Sequence, residues 1–140
     1  MANIMLNYRC NLRCPYCFAN EFVGRENTDI SVENFLKAVS FITKSGENRI
    51  GLIGGEPTIH PGFQVMMDLL IANPRVKYIE VFTNGLLVDR YIQQLTHPKV
   101  DVCINCNSSP AQSRTSVPKR LVLTPRRYRN TRTYRIYLMR

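Results

Sequence analysis

The sequence predicts an α/β protein, a parallel sheet with helices packed outside it, and three observations predict this. Strand-like and helix-like stretches alternate as β-α-β-α-β-α-β over residues 1–106, the order that right-handed crossovers convert into a parallel sheet. The helical stretches carry one apolar face between recognisable start and stop residues. Each chemically suggestive motif directly follows, or ends, a strand candidate, at the rim where such sheets gather their chemistry.

The first strand is expected from Asn3 to Leu6, leading straight into a cysteine-rich loop. Ser31 is a good helix N-cap and Glu33 suits the first turn, where the helix dipole favours an acid. Val32, Phe35, Leu36, Val39 and Ile42 recur at helical spacing, with Lys44 in the last turn and Gly46 as the stop. Arg49 to Ile53 reads as the second strand and ends in Gly54-Gly55. Pro61 suits the first turn of a second helix, with Phe63, Met66, Met67 and Leu70 on one face and Pro74 ending it. Tyr78 to Phe82 is a third strand, broken by Asn84-Gly85, and Val88 to Leu95 a short third helix. Val100 to Cys106 is a fourth strand, with Val100, Val102 and Ile104 on one face and Asp101, Cys103 and Asn105 on the other.

The bulk properties narrow the class. A chain of 140 residues that is 44% hydrophobic suits one modest domain with a real core. No apolar run approaches the roughly 18 residues of a membrane span, and the N-terminus lacks the basic start and apolar stretch of a signal peptide. A cytoplasmic protein is expected. The five cysteines, an odd number, argue for reduced thiols rather than a disulfide framework. The net charge of +9 is not spread evenly. Residues 1–106 hold ten Lys/Arg against ten Asp/Glu, and residues 107–140 hold nine Lys/Arg and no acid. Two regions are therefore expected, a folded unit over 1–106 and a basic tail over 107–140. In the tail, Leu121 to Leu123 and Ile136 to Met139 are strand candidates, but Pro118, Pro125 and the unopposed cations argue for little stable structure.

Cys10, Cys14 and Cys17 form a C-x-x-x-C-x-x-C run. Thiolates are the usual ligands of iron–sulfur clusters. Three on one loop can ligate three irons of a cubane and leave the fourth open to a substrate or cofactor. A cluster that only carried electrons would normally be closed by a fourth Cys. The run C-N-L-R-C-P-Y-C resembles the signature loop of the radical S-adenosylmethionine (SAM) superfamily.

That resemblance implies a [4Fe-4S] cluster whose open iron is chelated by SAM. It implies oxidoreductase-type chemistry, in which electron transfer breaks a C–S bond of SAM and yields a 5′-deoxyadenosyl radical that abstracts hydrogen from substrate. It implies a reductant such as flavodoxin or ferredoxin, and a small-molecule or peptide substrate that the sequence does not identify. Tyr16 would lie against the adenine. Gly54-Gly55-Glu56-Pro57 resembles the family's G-G-E-P motif, which holds the SAM amino group. Glycines at a strand end permit close backbone approach, Glu56 supplies an anion, and Pro57 biases Glu56 toward extended backbone. Thr83 and Asn105 match strand-end positions that contact SAM in related enzymes. The resemblance covers residues 3–108 and is closest to the peptide-modifying and molybdenum-cofactor branches. It implies a partial barrel of parallel strands with outer helices. About four strands are legible where the family core usually has roughly six, so the chain reads as the N-terminal portion of a truncated core.

Two other readings stand beside this one. Cys14 and Cys17 with Cys103 and Cys106 have the make-up of a four-thiolate zinc site. That reading leaves Cys10 and the Gly-Gly-Glu-Pro turn without a role, and strand alternation points Cys103 and Cys106 to opposite faces. The basic tail could contact nucleic-acid phosphates, with its tyrosines stacking on bases. It could also be a solvated segment, or sequence out of register with a longer gene, and its abrupt loss of acids and of periodicity favours the last. His60 and His97, each beside a Pro, have no partner pattern and read as structural or solvent-exposed.

Overall fold

The computed structural model describes residues 1–15, 17, 19, 21 and 29–104, and the backbone of strands 121–128 and 131–138. It is an α/β structure on one open sheet. Strands β1 (Ala2–Met5), β2 (Arg49–Ile53), β3 (Tyr78–Thr83) and β4 (Val100–Ile104) are all parallel. Helices α1 (Val32–Lys44), α2 (Phe63–Ala72) and the short α3 (Ile92–Leu95) lie in the crossovers between them. Strands β5 (Leu121–Tyr128) and β6 (Thr131–Leu138) form a hairpin, and the sheet order is β1-β2-β3-β4-β6-β5. The unclosed parallel sheet with its helices is the partial-barrel architecture expected. Among the described residues, no helix is long and apolar enough to cross a membrane.

Each helix follows from its local signals. Ser31 caps α1 by accepting from the Asn34 N–H at 3.1 Å, and Gly46 ends it with φ of 89°, a value that costs a side chain but not a glycine. Phe35 and Val39 are buried, whereas Leu36, read as part of the same face, is 42% exposed. Helix α2 begins at Phe63, later than Pro61, with Gly62 as an N-cap that offers no side chain. It ends at Asn73, whose extended backbone (ψ 117°) is what the following Pro74 requires. The third helical stretch opens as a 3-10 turn over Val88–Tyr91 and only then becomes α3. Neither part has a side-chain cap, so the tighter turn satisfies the first free backbone groups.

The core lies between the sheet and the helices. Ile50, Leu52, Ile79, Val81, Val100 and Val102 meet Phe35, Val39, Phe63, Met66, Met67 and Leu70, all of them buried. Burying each such side chain contributes about 1.5–3 kcal/mol before entropy is counted. The other face of β3 and β4 carries two buried acids. Glu80 and Asp101 are register partners, 7% and 2% exposed. The Tyr78 hydroxyl donates to Asp101 Oδ2 at 3.2 Å, and Arg49 lies 5.3 Å from the Tyr78 ring centroid. Burial, and then the Asp101 charge, push the Glu80 carboxyl above the ordinary carboxylate range. Burial, and then Glu80 and Asp101, push the Tyr78 phenol up as well.

Beyond β4 the direction reverses. β6 pairs antiparallel with β4, Val102 with Tyr134 and Cys103 with Thr133. The two tail stretches named as strand candidates fall in β5 and β6 as far as the described residues reach, and the pairing is longer than those stretches suggested.

Candidate functional site

The site is built where β1 and β2 run off the sheet together. Their parallel pairing continues past both strand ends: Leu6 N–H donates to Ile53 O (2.8 Å), Gly55 N–H to Asn7 O (2.9 Å) and Glu56 N–H to Arg9 O (2.7 Å). The stem of the cysteine loop therefore lies directly on the Gly54-Gly55-Glu56 turn. A Cβ on Gly55 would sit 2.3 Å from Arg9 O and 2.9 Å from Tyr8 O, and one on Gly54 would sit 2.5 Å from Asn7 Oδ1. The expected close approach at these glycines is thus an approach of the chain's own loop. Asn7 is fully buried and closes the contact by donating its Nδ2 to Glu56 O at 3.0 Å.

Glu56 is the centre of the arrangement. It follows β2, is 1% exposed, and N-caps a 3-10 turn over Pro57–Ile59. Its Oε1 accepts from Thr58 N (3.1 Å), Thr58 Oγ1 (2.5 Å) and Thr83 Oγ1 (2.7 Å), and its Oε2 accepts from Asn84 N (2.7 Å). Backbone is extended at Glu56 (φ −142°, ψ 110°), as a residue before proline should be. Thr83, 3% exposed at the end of β3, orients the Glu56 carboxylate, and its hydroxyl also accepts from Gly85 N at 3.1 Å.

Cys10, Cys14 and Cys17 are each half-buried. Cys14 O accepts from Cys17 N at 3.1 Å, making a turn, and Cys10 Sγ accepts from Leu12 N at 3.4 Å. Burial pushes the Cys10 thiol above its ordinary value, the Leu12 N–H opposes this, and the charges of Glu56, Cys14 and Cys17 push it further up. A donor set of three thiols suits iron–sulfur chemistry. Among the described residues, no three His, Cys, Asp or Glu converge as ligands of a single metal ion. A cubane does not need such convergence, since each thiolate takes a different corner.

The loop is fastened at both ends. Arg9 and Asp29 form a two-pronged pair, with Arg9 Nε donating to Asp29 Oδ1 at 3.1 Å. His60, 4% exposed, accepts from Gly62 N at Nδ1 (3.0 Å), so its Nε2 carries the proton and donates to Ile30 O at 2.9 Å. This is the structural role expected of it. Tyr16, Asn105 and Cys106 lie outside the described residues. Cys103 is buried within β4.

Sequence reasoning missed Asn7, Asn84 and Asn11. In the sequence Asn84 marks only the break after the third strand. It is the donor to Glu56 Oε2, and its Nδ2 donates to Asn11 Oδ1 at 2.8 Å. The available signal was positional, an Asn at a strand end on the same rim as the cysteines.

The profile of the Radical SAM superfamily matches residues 4–131. The chain belongs to the radical SAM superfamily. Among curated relatives, it is 28% identical to the GTP 3′,8-cyclase of Chlorobaculum tepidum over 118 residues, covering 84% of this chain and 36% of that protein. It is 33% identical to the molybdenum cofactor biosynthesis protein moc-5 of Caenorhabditis elegans, covering 66% of this chain and 16% of that protein. It is also 33% identical to molybdenum cofactor biosynthesis protein 1 of Drosophila melanogaster, covering 70% and 18%. The chain thus spans about a third or less of the length of these relatives. Radical SAM proteins use a [4Fe-4S] cluster and SAM, and Cys10, Cys14 and Cys17 stand in the matched region.

Proposed function

We propose that this chain holds a [4Fe-4S] cluster on Cys10, Cys14 and Cys17 and binds SAM beside it through the Gly54–Pro57 turn. When bound, the pair supplies reductive cleavage of SAM to a 5′-deoxyadenosyl radical. The chain's own residues bind and orient. Glu56 takes the SAM ammonium group on its carboxylate. Gly54 and Gly55 present backbone to the same group, and Pro57 keeps Glu56 extended. Thr83 holds the Glu56 carboxylate in place, Tyr16 packs on the adenine, and Asn105 meets the ribose or carboxylate end. The observation that carries this reading is Glu56 itself, a buried carboxylate fixed by four donors whose charge bears on Cys10. Its turn is bonded directly to the stem of the cysteine loop, through Glu56 N–H to Arg9 O and Gly55 N–H to Asn7 O.

The relatives' names point to cofactor maturation rather than peptide modification. We therefore propose a small-molecule substrate of the guanine-nucleotide class, a flavodoxin- or ferredoxin-type electron donor and a cytoplasmic setting. We propose further that residues 1–106 form the radical SAM unit and that 107–140 are a separate basic segment. Two features support that division. All of the excess charge lies there, and the chain pairs antiparallel with β4 where a barrel would continue in parallel.

Anaerobic reconstitution with iron and sulfide tests the cofactor reading. The expected product is brown, with about four irons per chain, and its reduced spectrum changes when SAM is added. Stoichiometric zinc without iron uptake would overturn it.

A further inference from the structure

We propose that Asn84 is a positioning residue, whose side-chain amide holds the cysteine loop in register with the Glu56 turn. The inference rests on the cluster-and-SAM reading and extends it to a residue to which that reading gives no role. Asn84 touches both halves of the site. Its backbone N–H donates to Glu56 Oε2 at 2.7 Å. Its side-chain Nδ2 donates to Oδ1 of Asn11, 73 residues earlier and between Cys10 and Cys14, at 2.8 Å.

The amide has little freedom to do otherwise. Asn84 Oδ1 accepts from Leu86 N at 3.1 Å, an Asx-type turn. That bond decides which end of the amide is oxygen, and so commits Nδ2 to the cysteine loop. The backbone beneath is fixed as well. Thr83 Oγ1 accepts from Gly85 N at 3.1 Å, and Gly85 takes φ of 83°, a conformation glycine adopts without strain. A rigid turn thus aims one donor at Glu56 and another at the loop.

The remaining ties act lower down. The bonds from Gly55 and Glu56 to Asn7 and Arg9 hold the stem of the loop, before the first cysteine. The Asn84–Asn11 bond reaches past Cys10 and links the ligand-bearing segment sideways to the end of β3. Three cysteines can ligate a cluster without it. What the bond sets is where the cluster stands relative to Glu56. SAM must meet the open iron and the carboxylate together, so a small misplacement weakens binding.

The test uses the full chain, reconstituted anaerobically. It compares wild type, Asn84→Ala, Asn11→Ala, the double variant and Asn11→Asp. Asn84→Ala keeps the backbone N–H to Glu56. Asn11→Ala removes only the cross-link, from an exposed loop position, and guards against a folding defect in the first. Asn11→Asp keeps an oxygen for Asn84 Nδ2. Iron per chain and the SAM dissociation constant, read from the reduced cluster's paramagnetic resonance spectrum, are measured. Expected are wild-type iron content throughout and about tenfold weaker SAM binding in each Ala variant. The double variant should be no weaker than the singles, and Asn11→Asp should lie close to wild type. Wild-type SAM binding in both Ala variants overturns the proposal. So does an Asn11→Asp as weak as Asn11→Ala, or an Asn11→Ala that cannot hold iron. A wild-type chain that takes up no iron overturns the cofactor reading itself, and this inference with it.

Discussion

Replacing Glu56 by Gln leaves the shape of the side chain intact and changes one oxygen to an NH2 group. Oε1 accepts from Thr58 N at 3.1 Å, and Oε2 accepts from Asn84 N at 2.7 Å. The hydroxyls of Thr58 and Thr83, which also donate to Oε1, can rotate, but the two backbone N–H groups cannot. Whichever way the new amide is turned, its NH2 meets one of them. A buried donor left without an acceptor costs about 1–3 kcal/mol, and loss of the carboxylate weakens the remaining bonds by about another 1 kcal/mol. Glu56 is 1% exposed, so solvent does little to soften this. A total of about 3 kcal/mol follows. At about 2.1 cal/mol/K per residue, 140 residues give an unfolding entropy of about 0.3 kcal/mol/K, and the midpoint should fall by about 10 °C. Thermal unfolding of the apo chain, followed by far-ultraviolet circular dichroism, measures it. A midpoint within about 2 °C of wild type would refute the reasoning, because it would mean that the four donors do not converge on this carboxylate.

Glu80 gives a prediction of opposite sign. Its folded carboxyl is raised above the ordinary range by burial and by Asp101, so the protonated form is the one the fold favours. That contribution is fully present below the unfolded value of about 4.3 and is lost as pH rises through the folded one. Glu80→Gln should therefore unfold later than wild type at pH 7 and alike at pH 3.5, and a gain that persists undiminished at pH 3.5 would contradict the linkage. For the tail, limited proteolysis should cut within 107–140 before any site in 29–104, and a tail as resistant as the body would count against the proposed division.

Much of the fold was legible because its signals are local. Ser31, Glu33, Lys44 and Gly46 bracket α1 as expected, and Pro74 ends α2 through the residue before it. The misreadings arose where tertiary context decides. Leu36 has helical spacing but lies at the margin of the buried stripe, and spacing alone does not show how wide that stripe is. The stretch from Val88 lacks a cap, and its apolar spacing fits a 3-10 turn nearly as well as an α-helix over so few residues. The hairpin after β4 reads poorly from sequence because cations and prolines mask its strand propensity. Of the two strands only β5 lies at the sheet edge, and its Pro125 is tolerated there.

The site was legible to a different degree. Cysteine spacing and the Gly-Gly-Glu-Pro run are contiguous, so the sequence displays them whole. What joins them is not contiguous: Asn7 meets Glu56 across 49 residues and Asn84 meets Asn11 across 73. No periodicity announces such pairs. Their logic is visible only from the sheet. Parallel strands with right-handed crossovers send every strand end to the same rim, so loops distant in sequence must cross there. Crossing backbones leave polar groups facing one another that have to be paired. At this rim, Asn7 and Asn84 supply the pairs and Gly54 and Gly55 supply the clearance. The same crossing that creates the hydrogen-bonding demand brings the cysteine loop onto Glu56. Residues that satisfy the fold here therefore also set the distance between sulfur and carboxylate, and substitutions at these positions should change stability and ligand affinity together.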